Sequence, residues 1–197
     1  MDHKNARFII AHLEDSLETL AAATQSEPFI TQIDAISDVI IASLRRGGKI
    51  LIAGNGGSAS DAQHIAGEFM SRLNYCRAPL AGLALTADTS VLTAVANDYG
   101  YEQVFSRQVA GLGRPDDVFI GISTSGRSPS ILAAFATARE KGLRTVGFTG
   151  ATEGLMSEYC EFILKSPSDR TPIIQQLHIT AAHIICGLVE RELCPKG

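Results

Sequence analysis

One feature constrains this chain more than any other. Short runs that are apolar on both faces end in glycine- or serine-rich turns, and helices follow those turns. The run at 49–53, KILIA, passes into GNGGSA, and a helix opens near Ser58. The run at 118–122, VFIGI, passes into STSGRS, and residues 131–141 read as its helix. RTVGF at 144–148 leads to Gly150, and residues 80–86 and 161–165 read as further strands. A strand buried on both faces needs cover above and below, and strands separated by helices run parallel. The expected class is α/β, with a parallel sheet between helical layers.

Residues 4–25 carry Phe8, Ile9, His12, Leu13, Leu17 and Leu20 at helical spacing. Glu27-Pro28 starts a second helix through Ile33, Ile36, Ile40 and Leu44, which stops at Gly47-Gly48. A long last helix is expected over Thr171–Leu193, with Pro172 in its first turn and Pro195 beyond it. The 197 residues suit one domain, 1–197. Hydrophobic residues make up 45% and charged ones 19%, a composition that folds. The net charge of -4 and the lack of a Lys/Arg run argue against nucleic acid as a partner. The N-terminus reads as an amphipathic helix rather than a signal peptide, and no stretch approaches the ~18 apolar residues of a membrane span. Cys76, Cys160, Cys186 and Cys194 form no C-x-x-C pair, which suits reduced thiols and a cytoplasmic location.

Open parallel sheets bind ligands outside the carboxyl ends of their strands. The first turn there, 53–59, is AGNGGSA. Its glycines let the backbone approach a ligand, and the helix behind it offers free N–H groups to an anion. The spelling also fits the dinucleotide fingerprint G-x-G-x-x-A. That reading wants an acidic residue ~20 positions on, whereas residues 74–79 hold none and Asp88 comes late. No lysine follows the glycines, so no Walker A loop is present and no nucleotide cofactor is expected. A plain strand-to-helix connector is the remaining alternative. The second turn presents Ser123, Thr124, Ser125 and Ser128, hydroxyls that suit a phosphate monoester. Its alternative is a solvated turn with Ser128 or Ser130 as helix N-cap.

STSGRS ahead of a helix resembles the phosphosugar loop of the sugar isomerase (SIS) domain family. AGNGGSASDAQHIAGE, NDYGYEQVFSRQV, STSGRS and TPIIQQLHITAAH together are similar to its phosphoheptose isomerase branch, over nearly the whole chain. One departure is Ser130, where the branch often has Asn; Ser is an equally good N-cap. The resemblance implies a three-layer α/β/α sandwich with a five-stranded parallel sheet, flavodoxin-like, plus N-terminal helices. Residues 1–47 would serve in oligomer packing, and 48–197 would hold the sheet, the phosphosugar loops and the C-terminal helix. A homotetramer with sites between subunits is implied. The implied reaction converts sedoheptulose 7-phosphate to D-glycero-D-manno-heptose 7-phosphate through an enediol, for lipopolysaccharide or capsule.

The same resemblance implies residue roles. Glu68 would be the base and His183 the acid. The alternatives are a solvated carboxylate for Glu68 and, given apolar Ala181, Ala182, Ile184 and Ile185, a core histidine for His183. Zinc, one per subunit, would be held by His64, Glu68, Gln175 and His183. His64 and Glu68 share a helix face, with Asp61 a turn earlier. Gln175 and His183 are separated by a helical rise of ~12 Å, which requires long reaches or ligands from different subunits. Asn55, Gly56, Gly57 and Ser58 would meet the substrate, as would Glu68 and Gln175. Ser123, Thr124, Ser125 and Ser128 would hold the phosphate, and Asn97 and Asp98 the sugar hydroxyls. Arg72 and Asp169 are further candidates, with surface charge as the other reading; for Asp98 that other reading is an Asn-Asp turn. A non-catalytic tetramer binding a replication initiator is the rival function, against which the presence of Glu68 and His183 counts.

Overall fold

The structure, a computed structural model, describes residues 3–196; Met1, Asp2 and Gly197 of the expected domain lie outside the described residues. The order of elements is α1 (His3–Gln25), α2 (Glu27–Arg45), β1 (Ile50–Gly54), α3 (Gly57–Met70), β2 (Gly82–Ala84), α4 (Thr89–Tyr99), α5 (Ser106–Leu112), β3 (Val118–Ile122), α6 (Pro129–Glu140), β4 (Arg144–Thr149), β5 (Phe162–Lys165) and α7 (Thr171–Leu193). The five strands form one sheet in the order β2-β1-β3-β4-β5, and every neighbouring pair is parallel.

Every residue of β1 and β3 is buried, as their two-faced apolar runs require. Successive side chains point to opposite faces of a strand, and each face has its own core. Ile50 and Ile52 pack with Val118 and Ile120 against Ile36 and Ile40 of α2, Phe69 of α3 and Ile185 of α7. Leu51, Ala53 and Phe119 pack on the other face against Val109 of α5 and Phe135 of α6. The result is the three-layer sandwich that the resemblance implied.

Edge strand β2 is shorter than the expected 80–86, and the reason is local. Leu80 N–H donates to the Phe69 carbonyl and Thr86 Oγ1 to the Ala59 carbonyl, so both ends of the run are tied to α3 and leave the ladder. Residues 89–99 and 106–112, for which the sequence pattern predicts no element, form α4 and α5; Asp88 caps α4 by accepting from Val91 N–H at 3.0 Å. Ser26 caps α2 in the same way, accepting from Phe29 N–H.

The two N-terminal helices have different surroundings. α2 lies within the core of its own chain, whereas α1 buries only Thr19 and Ala23 and leaves Phe8, Ile10, Leu13 and Leu17 more than half exposed. Against the expectation that no stretch approaches a membrane span, α7 is long and apolar enough to cross one by length and composition alone. Half of its most apolar window is buried inside the chain, where it packs on α2 and α3, so its apolarity is that of a core helix.

Candidate active site

Strand order reverses between β1 and β3, because β1 is followed by an outer strand on one side and the chain then returns to the other. Such a switch point leaves a crevice at the carboxyl ends of the two strands. Both glycine- and serine-rich turns open there. Gly56 takes a positive φ of 57° and begins α3 with no side-chain cap; Ser58 N–H and Ala59 N–H donate to the Asn55 and Gly56 carbonyls, so of the first turn it is the N–H of Gly57 that faces a ligand. In the second turn Gly126 has φ 64°, and a Cβ there would stand 2.2 Å from the Glu153 carbonyl oxygen. Only glycine fits.

Asn55 joins the two turns. Its Nδ2 donates to Ser128 Oγ at 2.8 Å and Ser130 Oγ at 3.1 Å, and its Oδ1 accepts from the Tyr101 hydroxyl at 2.8 Å. Ser130 therefore serves as an acceptor within the first turn of α6 and not as N-cap. Ser128 holds the N-cap position, but its hydroxyl makes no cap bond because Asn55 uses it. Ser123 is buried and accepts from Ser128 N–H at 3.4 Å; Ser125 accepts from Arg127 N–H at 3.3 Å. Ser125 is exposed while Thr124 and Ser128 are half-buried, so the turn stays open to a ligand. On the first turn Ser58 is buried and accepts from Gln175 Nε2 at 3.3 Å, and the same amide lies against Gly57.

α3 and α7 bring three further side chains together. His64 Nε2 is 3.1 Å from Glu68 Oε1, His183 Nε2 is 3.2 Å from His64 Nε2, and His183 Nε2 is 3.9 Å from Glu68 Oε1. One imidazole nitrogen cannot donate to the carboxylate and accept from the other ring at once. Three ligand atoms this close to one another are what a cation satisfies. Zinc bonds of ~2.1 Å in tetrahedral geometry put ligand atoms about 3.4 Å apart, close to the three distances seen. The donor set, two imidazoles and one carboxylate with a direction left open, fits that ion. Beside the cluster, Asp61 has a buried Oδ2 with no hydrogen-bond partner; desolvation raises its pKa and the nearby His64 opposes that rise.

The other candidates are distributed as follows. Gln175 is engaged with Ser58 on the first turn. Asn97 Nδ2 donates to Asp98 Oδ1 at 2.8 Å, and the two are exposed in the last turn of α4 instead of forming an Asn-Asp turn. Arg72 is exposed just after α3, and Asp169 is exposed just before α7. The core histidine of α7 is His178, not His183. His178 is 1% exposed, and its Nε2–H donates to the Thr149 carbonyl at 2.9 Å. Burial pushes its pKa down to about 4, against the raising effect of that bond. Sequence reasoning passed over Tyr101 and His178, although both lie in or near quoted motifs, since neither spacing nor polarity says which way they turn.

The fold and these turns are those of a sugar isomerase domain: the family model described as SIS domain matches residues 12–150. The phosphoheptose isomerase of Burkholderia pseudomallei is 50% identical over 196 residues, covering 100% of both chains. Solved structures of phosphoheptose isomerases align as well. That from Neisseria gonorrhoeae has a TM-score of 0.86 at 38% identity, covering 94% of this chain and 98% of the other. That from Francisella tularensis has 0.89 at 32%, covering 95% and 98%. The chain belongs to the phosphoheptose isomerase family of SIS-domain proteins and is a sugar-phosphate isomerase.

Proposed function

We propose that this enzyme converts sedoheptulose 7-phosphate to D-glycero-D-manno-heptose 7-phosphate. The observation that carries the reading is the meeting of Glu68 and His183, 115 positions apart in sequence, at 3.9 Å. An aldose–ketose exchange needs a base over two adjacent carbons and an acid at their oxygens. Glu68 takes a proton from carbon 1 while His183 gives one to the carbonyl oxygen on carbon 2, forming the enediol. Glu68 then returns its proton to carbon 2, and the imidazole takes the proton of the carbon 1 hydroxyl to leave the aldehyde. Oε1 of Glu68 faces both imidazoles, which assigns the carbon-bound proton to Oε2.

Ser123, Thr124, Ser125 and Ser128, with the N-terminus of α6, hold the phosphate. Asn55, Gly56, Gly57, Ser58 and Gln175 line the sugar, Asn97 and Asp98 meet its hydroxyls, and Arg72 and Asp169 complete the rim. Zinc, one per subunit, would be held by His64, Glu68 and His183, with Gln175 as the fourth ligand of the expected set only if its amide leaves Ser58; the proton transfers need His183 Nε2 and one Glu68 oxygen free of the ion. Bound there, the ion supplies a Lewis acid for the sugar oxygens.

The enzyme acts as a homotetramer in which the helices of residues 1–47 pack between subunits, chiefly through α1. Ile10, Leu13 and Leu17 of α1 are 53, 63 and 68% exposed and share one side of the helix, a stripe that favours burial against another copy. The side chains of His64 and His183 are 49 and 40% exposed, and a neighbouring subunit would exclude water from the reacting carbons. All four cysteines are free thiols, in keeping with a cytoplasmic enzyme. By its family resemblance, the product feeds lipopolysaccharide or capsule synthesis. The rival reading as a non-catalytic binder of a replication initiator draws no support from relatives named as isomerases.

Incubation with sedoheptulose 7-phosphate, with and without a chelator, tests the proposal. The aldose phosphate should form, fall away under chelation and return with added zinc. A chain that leaves the ketose untouched in the presence of zinc defeats it.

A further inference from the structure

The last turn of α3 and the last turns of α7 meet at a buried ion pair that the chemistry above does not use. Arg77 and Glu190 have side chains 3 and 0% exposed, with Arg77 Nε 3.0 Å from Glu190 Oε1. The remaining donors of Arg77 go to backbone oxygens. Nη2 donates to the Glu68 carbonyl at 2.6 Å, and Nη1 to the Phe69 carbonyl at 2.8 Å and the Ala78 carbonyl at 2.9 Å. Glu190 in turn accepts from Leu73 N–H at 3.0 Å, Asn74 N–H at 2.8 Å and Asn74 Nδ2 at 3.0 Å. Burial alone would push its carboxyl up; these donors outweigh that, and its pKa lies below the usual carboxylate range.

Where these bonds fall matters more than how many there are. α3 ends at Met70, so Glu68 belongs to its last turn, where carbonyls lack partners within the helix and the turn frays. Arg77 occupies the carbonyls of Glu68 and Phe69 with a cation, the charge a helix C-terminus favours. Glu190 lies seven positions after His183 on α7, two helical turns on and therefore on nearly the same face. One rigid guanidinium thus links the backbone that carries Glu68 to the helix that carries His183.

We infer that Arg77 and Glu190 are a positioning pair: they fix the spacing between the Glu68 carboxylate and the His183 imidazole, and so set the rate of proton transfer without touching the sugar. The inference rests on the assignment of Glu68 and His183 to the chemistry. A single truncation would strand a buried charge and endanger the fold, so the informative variants are R77K, which keeps the charge but not the planar fork, and the neutral double variant R77M/E190Q. Steady-state kinetics with sedoheptulose 7-phosphate would be read per folded molecule, below each variant's melting temperature. They would be compared with E68Q and with I40A, a core truncation on α2 that removes none of the fork's hydrogen bonds.

A misplacement on the order of 1 Å costs about a hundredfold in rate. The double variant should therefore lose about that much kcat with KM held within about threefold, R77K should recover part of it, and I40A should keep kcat. Wild-type kcat in folded R77M/E190Q overturns the inference, as does an equal loss in I40A, which would reduce the pair to a packing role. An active E68Q would instead overturn the assignment beneath it.

Discussion

His178 and His183 stand five positions apart on α7 and meet opposite surroundings. His178 is sealed against the Thr149 carbonyl, and His183 opens towards Glu68. The buried ring stays neutral in the fold, with a pKa lowered to about 4 from 6.5. Between those values the unfolded chain binds the extra proton, so this contribution to stability is complete above about pH 6.5 and is lost as pH falls towards about 4. The slope is at most about 1.4 kcal/mol per pH unit. Melting curves across that window should show it, and H178Q, which can still donate to Thr149 but does not titrate there, should give a shallower dependence; an unchanged slope would contradict the assignment. At the proposed site, E68Q and H183N should each lower kcat by about 10²–10⁴, measured as aldose phosphate formed. Of this cluster, only His64 and Glu68 could be paired from sequence, because four positions on a helix make neighbours. The sequence around His183 looks like core, since α7 is apolar on most of its faces, and only the packing of α3 on α7 separates the two histidines.

Among the elements, the loop after β3 is held in shape by its neighbour after β4. Gly150 N–H donates to the Thr124 carbonyl, and Leu155 N–H to the Gly126 carbonyl. G126A would place its Cβ against the Glu153 carbonyl at a positive φ, a strain of about 1–3 kcal/mol. The loop should open to relieve it, so KM for the sugar phosphate should rise about tenfold or more, with the melting temperature lowered by a few degrees. Kinetics at saturating and limiting substrate separate this from a loss of kcat. The central strands and both loops were legible because a strand buried on two faces has little freedom of composition. β2 was legible as a strand but its limits were not, since they depend on hydrogen bonds from Leu80 and Thr86 to α3. α4 was silent, having no buried residue to impose a strong period. The first loop fits a nucleotide fingerprint by spelling; in space it is tied to the second through Asn55 and Ser128, a pairing that no local pattern encodes.

For the whole molecule, the β1–β3 switch point follows from strand order, and strand order is decided by which helices cover which face. The exposed stripe of α1 belongs to the same scale. L13D/L17D should shift the proposed tetramer to smaller species in light scattering and lower activity with it, while leaving the sheet's circular dichroism intact; an unaltered mass would argue against α1 as an interface. A family resemblance supplied this expectation, because the sequence shows an amphipathic helix but not what its apolar side meets. Transfer of the proton between carbons 1 and 2 by Glu68 is the step on which the proposed activity depends. Its most direct test is turnover of sedoheptulose 7-phosphate in D2O, followed by NMR for the native chain and for folded E68Q. The native enzyme should form the aldose phosphate, with deuterium at carbon 2 in proportion to how often the Glu68 carboxyl exchanges with solvent before it returns the proton, and E68Q should form essentially none; E68Q making product at the native rate would contradict this role of Glu68.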